Sequence, residues 1–217
     1  MNITRILLID DHPIMRHGLA QLLGAEDGLT ICGEAGSARE GMTAADRLKP
    51  DLVIIDLTLP DKHGLELLKD LQVQHPGLRC LVLSMHDEDL YAERALRAGA
   101  RGYIMKEAAA DHLVTAVRKI LSGGLYLSEH LASKMIEQLS GVRGKTGATG
   151  VENLTDRELE VLALIGEGVA TKNIAERLSI SARTVEAHRA HIKEKLNISD
   201  GAALVKYAVQ WVEGKSN

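Results

Sequence analysis

Polar residues that could handle a phosphoryl group follow four of the five short apolar runs in the first half of the sequence. Asp10 and Asp11 follow the first run, Asp56 the third, Ser84 the fourth and Lys106 the fifth. Carboxylates brought together repel one another unless a cation lies among them, and hard oxygen ligands of this kind suit Mg²⁺. A carboxylate beside Mg²⁺ can attack a phosphoryl group and form an acyl phosphate, while a lysine and a hydroxyl bind the transferred oxygens. A single aspartate of this kind would be an ordinary turn residue, but the set of five predicts a site.

The apolar runs themselves indicate buried strands, and they alternate with stretches of helical periodicity. This alternation is typical of a parallel sheet covered on both faces. We therefore predict an α/β fold with a five-stranded doubly wound parallel sheet, in which the five polar residues meet at the carboxyl ends of the strands. The predicted strands are Ile6–Ile9, Thr30–Cys32, Leu52–Ile55, Cys80–Leu83 and Gly102–Met105. The predicted helices span about residues 13–24, 37–48, 63–74, 88–98, 109–122 and 128–139.

The remainder of the chain has a different pattern. Residues 141–150 include four glycines and almost no apolar side chain, which predicts a flexible linker. No strand pattern follows, and Thr155 with Glu158 forms a capping box at the start of a helix. Four helices are predicted here, over about residues 156–165, 171–178, 182–196 and 201–212. We divide the chain into an α/β domain (1–122), a connecting helix with the linker (123–153) and a small all-α domain (154–217).

The turn at residues 179–181 separates the second and third of these helices, which is the arrangement of a helix-turn-helix. The second helix of that motif enters the major groove of DNA. Residues 183–195 hold four basic and two acidic side chains. A single helix with this charge is usually only a solvated surface helix, so the prediction of DNA binding depends on the turn before it. The net charge of −4 for the whole chain gives no independent sign of nucleic-acid binding.

The first domain resembles the receiver domain of bacterial response regulators, which has a flavodoxin-like fold. The resemblance rests on residues 6–13 (ILLIDDHP), 51–60 (DLVIIDLTLP), 82–85 (VLSM) and 98–106 (AGARGYIMK). It implies that a sensor histidine kinase phosphorylates Asp56. It also implies that Mg²⁺ binds to Asp11, Asp56 and the carbonyl of Thr58, with Asp10 acting through water. The residues implied to bind the phosphoryl oxygens or to respond to them are Ser84, Lys106 and Tyr103, the last as an aromatic that rotates inward when Ser84 moves.

One position departs from the receiver pattern. Glu107 follows Lys106, whereas the family usually has a proline there, with a cis peptide bond. A cis bond without proline costs about 3–4 kcal/mol. The sequence leaves two alternatives open, a strained cis bond or a trans bond with a different loop.

The second domain resembles the LuxR-type output domain of the NarL/FixJ family. The resemblance rests on residues 154–162 (LTDRELEVL), 168–178 (GVATKNIAERL) and 184–196 (TVEAHRAHIKEKL). The resemblance implies binding to double-stranded promoter DNA as a homodimer, with RNA polymerase as a further partner. The expected DNA contacts are Lys172, Arg183, Thr184, Glu186, Ala187, His188, Arg189, Lys193 and Lys195. The expected dimer contacts are Ala202, Val205 and Val209, although their helix could equally serve only to cover its own core.

The two resemblances together predict a phosphorylation-controlled transcription factor rather than an enzyme. A phosphohydrolase or phosphotransferase that works through an aspartyl phosphate would carry a second aspartate at Thr58, and a DNA binder independent of phosphate would not need the acidic pocket. No apolar run approaches the length of a membrane span, and no signal peptide is evident, so we expect a cytoplasmic protein without a membrane partner. The acidic first domain and the basic residues 183–195 favour control by shielding of the DNA-binding helix, and dimerisation driven by the receiver is the alternative that the sequence leaves open.

Overall fold

The computed structural model describes residues 3–139 and 150–213 of the chain. Two compact units contain them, Met1–Val142 and Arg143–Asn217. Apart from Gly150, the linker predicted over residues 141–150 lies outside the described residues. No helix in the described part of the chain is long and apolar enough to cross a membrane.

The first unit contains a parallel sheet with strand order β2-β1-β3-β4-β5, which confirms the predicted doubly wound α/β fold. Its central strands are buried on both faces, because helices cover the sheet on either side and all of the apolar runs can pack inward. Each strand lies where the sequence predicted one: β1 (Thr4–Ile9), β2 (Leu29–Ala35), β3 (Leu52–Ile55), β4 (Arg79–Ser84) and β5 (Gly102–Met105).

The helices of the first unit also begin and end within a residue or two of the predicted positions. Their buried faces consist mainly of leucine, valine and alanine, and each fully buried Leu or Val contributes about 1.5–3 kcal/mol. They are α1 (Pro13–Gly24), α2 (Ala38–Leu48), α3 (Gly64–Gln74), α4 (Glu88–Arg97), α5 (Ala109–Leu121) and α6 (Glu129–Leu139).

The second unit is helical in its described part, as predicted. The capping box is present, since Thr155 Oγ1 accepts from the Glu158 N–H and Glu158 Oε2 accepts from the Thr155 N–H. Ser179 adopts a left-handed conformation in the turn before the third helix, with φ of 51°. Ser181 then caps that helix by accepting from the Thr184 N–H. The helices are α7 (Asp156–Gly166), α8 (Thr171–Arg177), α9 (Ala182–Lys195) and α10 (Gly201–Glu213).

The loop between β3 and α3 is fastened to the start of α2. The Asp61 carboxylate accepts from the N–H groups of Ala38 (2.8 Å) and Arg39 (3.0 Å), which are free donors in the first turn of α2. Burial raises the pKa of Asp61, but the hydrogen bonds from Arg39 and Ala38 outweigh it and leave that pKa below its ordinary value. The carboxylate form of Asp61 therefore stabilises the folded state.

We predict that Asp61→Ala lowers the free energy of unfolding by about 1 kcal/mol at pH 7, the usual contribution of a helix cap. Because the folded pKa is depressed, this contribution is present above the ordinary value of about 3.9 and is lost as the pH falls through the folded pKa. Urea denaturation of the variant and the parent at pH 7, 5 and 3 measures the difference. A difference that stayed constant down to pH 3 would contradict the ionic cap.

Candidate functional site

Five polar residues meet at the carboxyl edge of the sheet, as the sequence predicts. Asp10 and Asp11 follow β1, Asp56 follows β3 and Lys106 follows β5, while Ser84 ends β4. The Lys106 ammonium lies 2.7 Å from Asp10 Oδ2 and 2.7 Å from Asp56 Oδ2. All three of these side chains are at least 96% buried. The edge therefore holds a buried cation shared between two carboxylates.

The pKa values of the central pair follow from burial and from each other. Burial raises the pKa of Asp56, and the Lys106 ammonium lowers it only in part, so the pKa stays above its ordinary value. Burial lowers the pKa of Lys106, but the charges of Asp56 and Asp10 outweigh burial and raise it. Lys106 therefore stays charged at neutral pH and can pair with an anion at Asp56.

The carboxylates form a cluster with the composition of a divalent-cation site. One ligand atom each from Asp10, Asp11, His12 and Asp56 lies within 4.8 Å of the others. The Oδ1 atom of Asp56 is buried and accepts no hydrogen bond, so it can take a metal ligand role without losing a partner. The donor set of three carboxylates fits Mg²⁺, which binds through one or two carboxylates and several waters. Sequence reasoning missed His12, whose Nδ1 lies 2.6 Å from Asp11 Oδ1 and 3.2 Å from Asp10 Oδ1.

Ser84 and Tyr103 are connected through one residue, His86. The His86 N–H donates to Ser84 Oγ (3.1 Å), and the His86 carbonyl accepts from the Tyr103 hydroxyl (2.8 Å). The imidazole Nε2 of His86 also lies 3.1 Å from Thr58 Oγ1. Tyr103 is buried, pointing inward, and burial raises the pKa of its hydroxyl. His86 could not be predicted from the sequence, where its one signal is its position two residues after Ser84.

The peptide bond between Lys106 and Glu107 is trans, since none of the described peptide bonds is cis. Residues Lys106–Ala108 form a single 3-10 turn before α5. This resolves the two alternatives that the sequence left open in favour of a trans bond and a short helical turn. The Lys106 ammonium still reaches Asp56 from this backbone.

Gly64 allows the backbone of α3 to pass against the backbone of Asp56. A Cβ atom at Gly64 would lie 2.1 Å from the Asp56 carbonyl oxygen and 2.6 Å from Leu57 Cα. The Gly64 N–H also donates to the Leu57 carbonyl (2.8 Å). Any side chain at Gly64 would therefore displace the Asp56 backbone.

The predicted DNA contacts on α8 and α9 differ in how free their side chains are. Lys172, Arg183, Thr184 and Ala187 are exposed, and Lys193 is half-buried. Of these, Thr184 shares a hydrogen bond of 2.7 Å with Ser181, within the capping turn of α9. Lys172 and Arg183 thus present exposed positive charge near the start of each helix.

Other predicted DNA contacts have partners inside the second unit. Lys195 Nζ lies 2.7 Å from Glu158 Oε2 and ties the end of α9 to the start of α7. Glu186 accepts from Thr171 Oγ1 (3.1 Å) and lies 3.6 Å from Arg189 Nε. A count of charges along α9 cannot reveal the contacts to Glu158 and Thr171, because these two partners lie on α7 and α8.

His188, a further predicted DNA contact, is half-buried on α9. Burial together with the positive charge of Arg157 lowers its pKa, so it is neutral at pH 7.

The predicted dimer contacts lie on α10. Ala202 and Val205 are exposed and Val209 is half-buried, whereas Leu204 and Ala208 face the core. The helix therefore covers its own core with one face and leaves apolar side chains on another.

Comparisons with known proteins match both units. The family described as "Response regulator receiver domain" matches residues 6–118, and "Bacterial regulatory proteins, luxR family" matches residues 152–208. The transcriptional regulatory protein UhpA of Escherichia coli K12 is 39% identical over 202 residues, 93% of this chain and 95% of UhpA. The nitrate/nitrite response regulator protein NarL of the same strain is 37% identical over 195 residues, 89% of each chain.

Solved structures of the response regulator RcsB are also similar. RcsB from Salmonella enterica serovar Typhimurium, bound to promoter rprA with the phosphomimetic BeF₃⁻, is 26% identical with a TM-score of 0.63, over 96% of this chain and 99% of that chain. A second RcsB structure has two dimers bound to two parallel DNAs. It is 25% identical with a TM-score of 0.59, over 95% of this chain and 98% of that chain.

We predict that Gly64→Ala weakens Mg²⁺ binding by about tenfold or more and lowers the free energy of unfolding by about 1–3 kcal/mol, the usual cost of overpacking. The physical reason is the displacement of Asp56 that the added methyl group forces. Isothermal titration calorimetry with Mg²⁺ and urea denaturation measure the two effects. Gly18→Ala is the matched control, because a Cβ atom there meets nothing within 4 Å. Equal Mg²⁺ affinities for the two variants would contradict this role of Gly64.

Proposed function

Since the chain belongs to the response regulators of the NarL/FixJ family, which join a receiver domain to a LuxR-type DNA-binding domain, we propose that phosphorylation of Asp56 controls its binding to promoter DNA. One observation carries this proposal. Asp56 lies buried beside the Lys106 ammonium and among further carboxylates, with its Oδ1 atom free of hydrogen bonds. This is the environment that a phosphoacceptor carboxylate needs.

The phosphoryl donor in this proposal is a phosphohistidine of a sensor histidine kinase. The Asp56 carboxylate attacks phosphorus, an O–P bond forms, and the P–N bond to the imidazole breaks. Asp11, Asp56 and the carbonyl of Thr58 would hold Mg²⁺, with Asp10 acting through water, and the bound ion would offset the charge of the transferred oxygens. Lys106 then pairs with one phosphoryl oxygen and the Ser84 hydroxyl donates to another. Tyr103 responds to the movement of Ser84.

The output is the binding of promoter DNA by a homodimer. UhpA and NarL are transcriptional regulators by name, and RcsB binds promoter DNA and forms dimers on DNA. In this chain α9 enters the major groove, Lys172 and Arg183 contact phosphates, and the exposed residues of α10 form the dimer contact. Phosphorylation acts on DNA binding, by shielding or by dimerisation, and RNA polymerase is a further partner. The protein acts in the cytoplasm, because its promoter DNA lies there.

Three regions divide these tasks: the receiver (residues 1–122), the connecting helix and linker (123–153) and the DNA-binding domain (154–217). We favour this assignment over a phosphohydrolase, because the members of the family are transcription regulators and Thr58 stands where the enzyme would carry a second aspartate.

Acetyl phosphate with Mg²⁺ should add one phosphoryl group to the protein, on Asp56, and mass spectrometry of the intact protein and its peptides measures this. Asp56→Asn should abolish the adduct. Asp51→Asn is the control. Asp51 directly precedes β3, the strand that Asp56 follows, and its side chain is exposed. An adduct that survived Asp56→Asn would refute the assignment of the phosphoacceptor.

Arg183→Ala should weaken binding to all DNA sequences alike and reduce the slope of log K against log salt by about 0.9, the change for one lost phosphate contact. Fluorescence anisotropy at several salt concentrations measures both quantities. Arg177→Ala serves as the control, because it removes the same charge from the end of α8, where Arg177 lies 3.6 Å from Glu167. If the two variants had the same salt slope, α9 would be placed wrongly on the DNA.

A further inference from the structure

The last described helix of the first unit, α6, contacts the first turn of α4. Ser128, which precedes α6, accepts from the Leu131 N–H (3.1 Å) and donates to Glu88 Oε1 (2.6 Å). One turn further, Lys134 Nζ lies 2.9 Å from Asp89 Oδ1. We call these two acidic residues of α4, with Ser128 and Lys134, the α4–α6 clip.

An apolar anchor lies beside the α4–α6 clip. Leu131 is 97% buried and fixes α6 against the first unit, while the other contacts lie nearer the surface. His130 Nε2 lies 3.2 Å from Asp89 Oδ1, so Asp89 faces two side chains of α6. Burial raises the pKa of Asp89, but Lys134 and His130 outweigh burial and leave that pKa below its ordinary value. Asp89 is thus an anion whose partners come from α6.

The two acidic residues of the clip, Glu88 and Asp89, lie four and five residues after Ser84 in the sequence. Ser84 Oγ accepts from the His86 N–H, and the His86 carbonyl accepts from Tyr103. The next residue, Asp87, caps α4 by accepting from the Asp89 N–H (2.9 Å). A displacement of Ser84 can therefore reach the first turn of α4 through His86 and Asp87, which both make hydrogen bonds in this segment.

We propose that the α4–α6 clip transmits the state of Asp56 to α6 and opens when Ser84 moves toward the phosphoryl group. The proposal rests on the phosphorylation of Asp56 proposed above and adds the element that receives the signal. Within the described residues, α6 is the last α-helix that precedes the DNA-binding domain in the sequence, so a change in α6 occurs on the chain between the two functions. The clip has a closed and an open arrangement, and opening is a shift of the equilibrium between them. Phosphorylation can shift this equilibrium only if the phosphoryl group interacts more favourably with the open arrangement.

Hydrogen–deuterium exchange of the full chain tests the proposal, with BeF₃⁻ and Mg²⁺ as the phosphoryl mimic. We expect the amides of α6 to exchange at least about fivefold faster when the mimic is bound, the lower end of typical coupling between sites. Lys134→Gln should give faster exchange without the mimic. Arg97→Gln is the matched control, because it also removes one positive charge, but Arg97 pairs with Glu93 within α4 and not with α6. Unchanged exchange in α6 on addition of the mimic would overturn the proposal.

A cross-link separates the clip from the phosphorylation step. In the double variant Glu88→Cys with Ser128→Cys, the oxidised protein should still gain a phosphoryl group on Asp56, while exchange in α6 and DNA affinity no longer respond to it. The reduced form of the same protein is the control for the substitutions. Full response of the oxidised protein would overturn the clip. Loss of the adduct in the unmodified chain would instead overturn the proposed function.

Discussion

The buried ammonium of Lys106 is the contact on which the receiver site depends. It lies 2.7 Å from carboxylate oxygens of both Asp10 and Asp56, so it offsets charges that would otherwise be costly to bury. Three carboxylates share the edge with this one cation, which leaves negative charge for a divalent ion to balance. The strand order supports the contact, because β4 lies between the strands that carry Asp56 and Lys106 and fixes their separation.

The sequence predicted most of the fold and the five central residues of the site, because their signals are local. Each strand is a short apolar run, and each site residue comes at the end of one. Contacts between distant segments have no such signal. Asp61 caps α2 from another loop, His86 joins Ser84 to Tyr103, and neither shows in periodicity or composition. The peptide bond after Lys106 is a similar case, because its geometry depends on the surrounding loop.

In the DNA-binding domain, contacts between distant segments involve residues that the sequence predicted to bind DNA. Its motif places nine residues on the predicted interface, but Lys195 and Glu186 already contact other helices of the domain. Glu158 explains one of these contacts, since it is buried, its pKa is lowered by Lys195 despite its burial, and it also closes the capping box. A basic residue at the end of α9 is therefore accounted for by stability of the fold, which a count of charges along the helix cannot distinguish from binding.

If α9 enters the major groove as proposed, few of the residues predicted to contact DNA are left free to read bases. Arg183 and Lys172 are exposed cations, and cations of this kind bind phosphates in any sequence. A single domain of this type gains affinity mainly from charge, and sequence choice then depends on DNA shape and on pairing two domains across adjacent half-sites. Pairing raises the effective concentration of the second domain, so a modest change in access or dimerisation has a large effect on occupancy. If phosphorylation alters α6 as proposed, a modest change there could therefore have a large effect on the occupancy of the promoter.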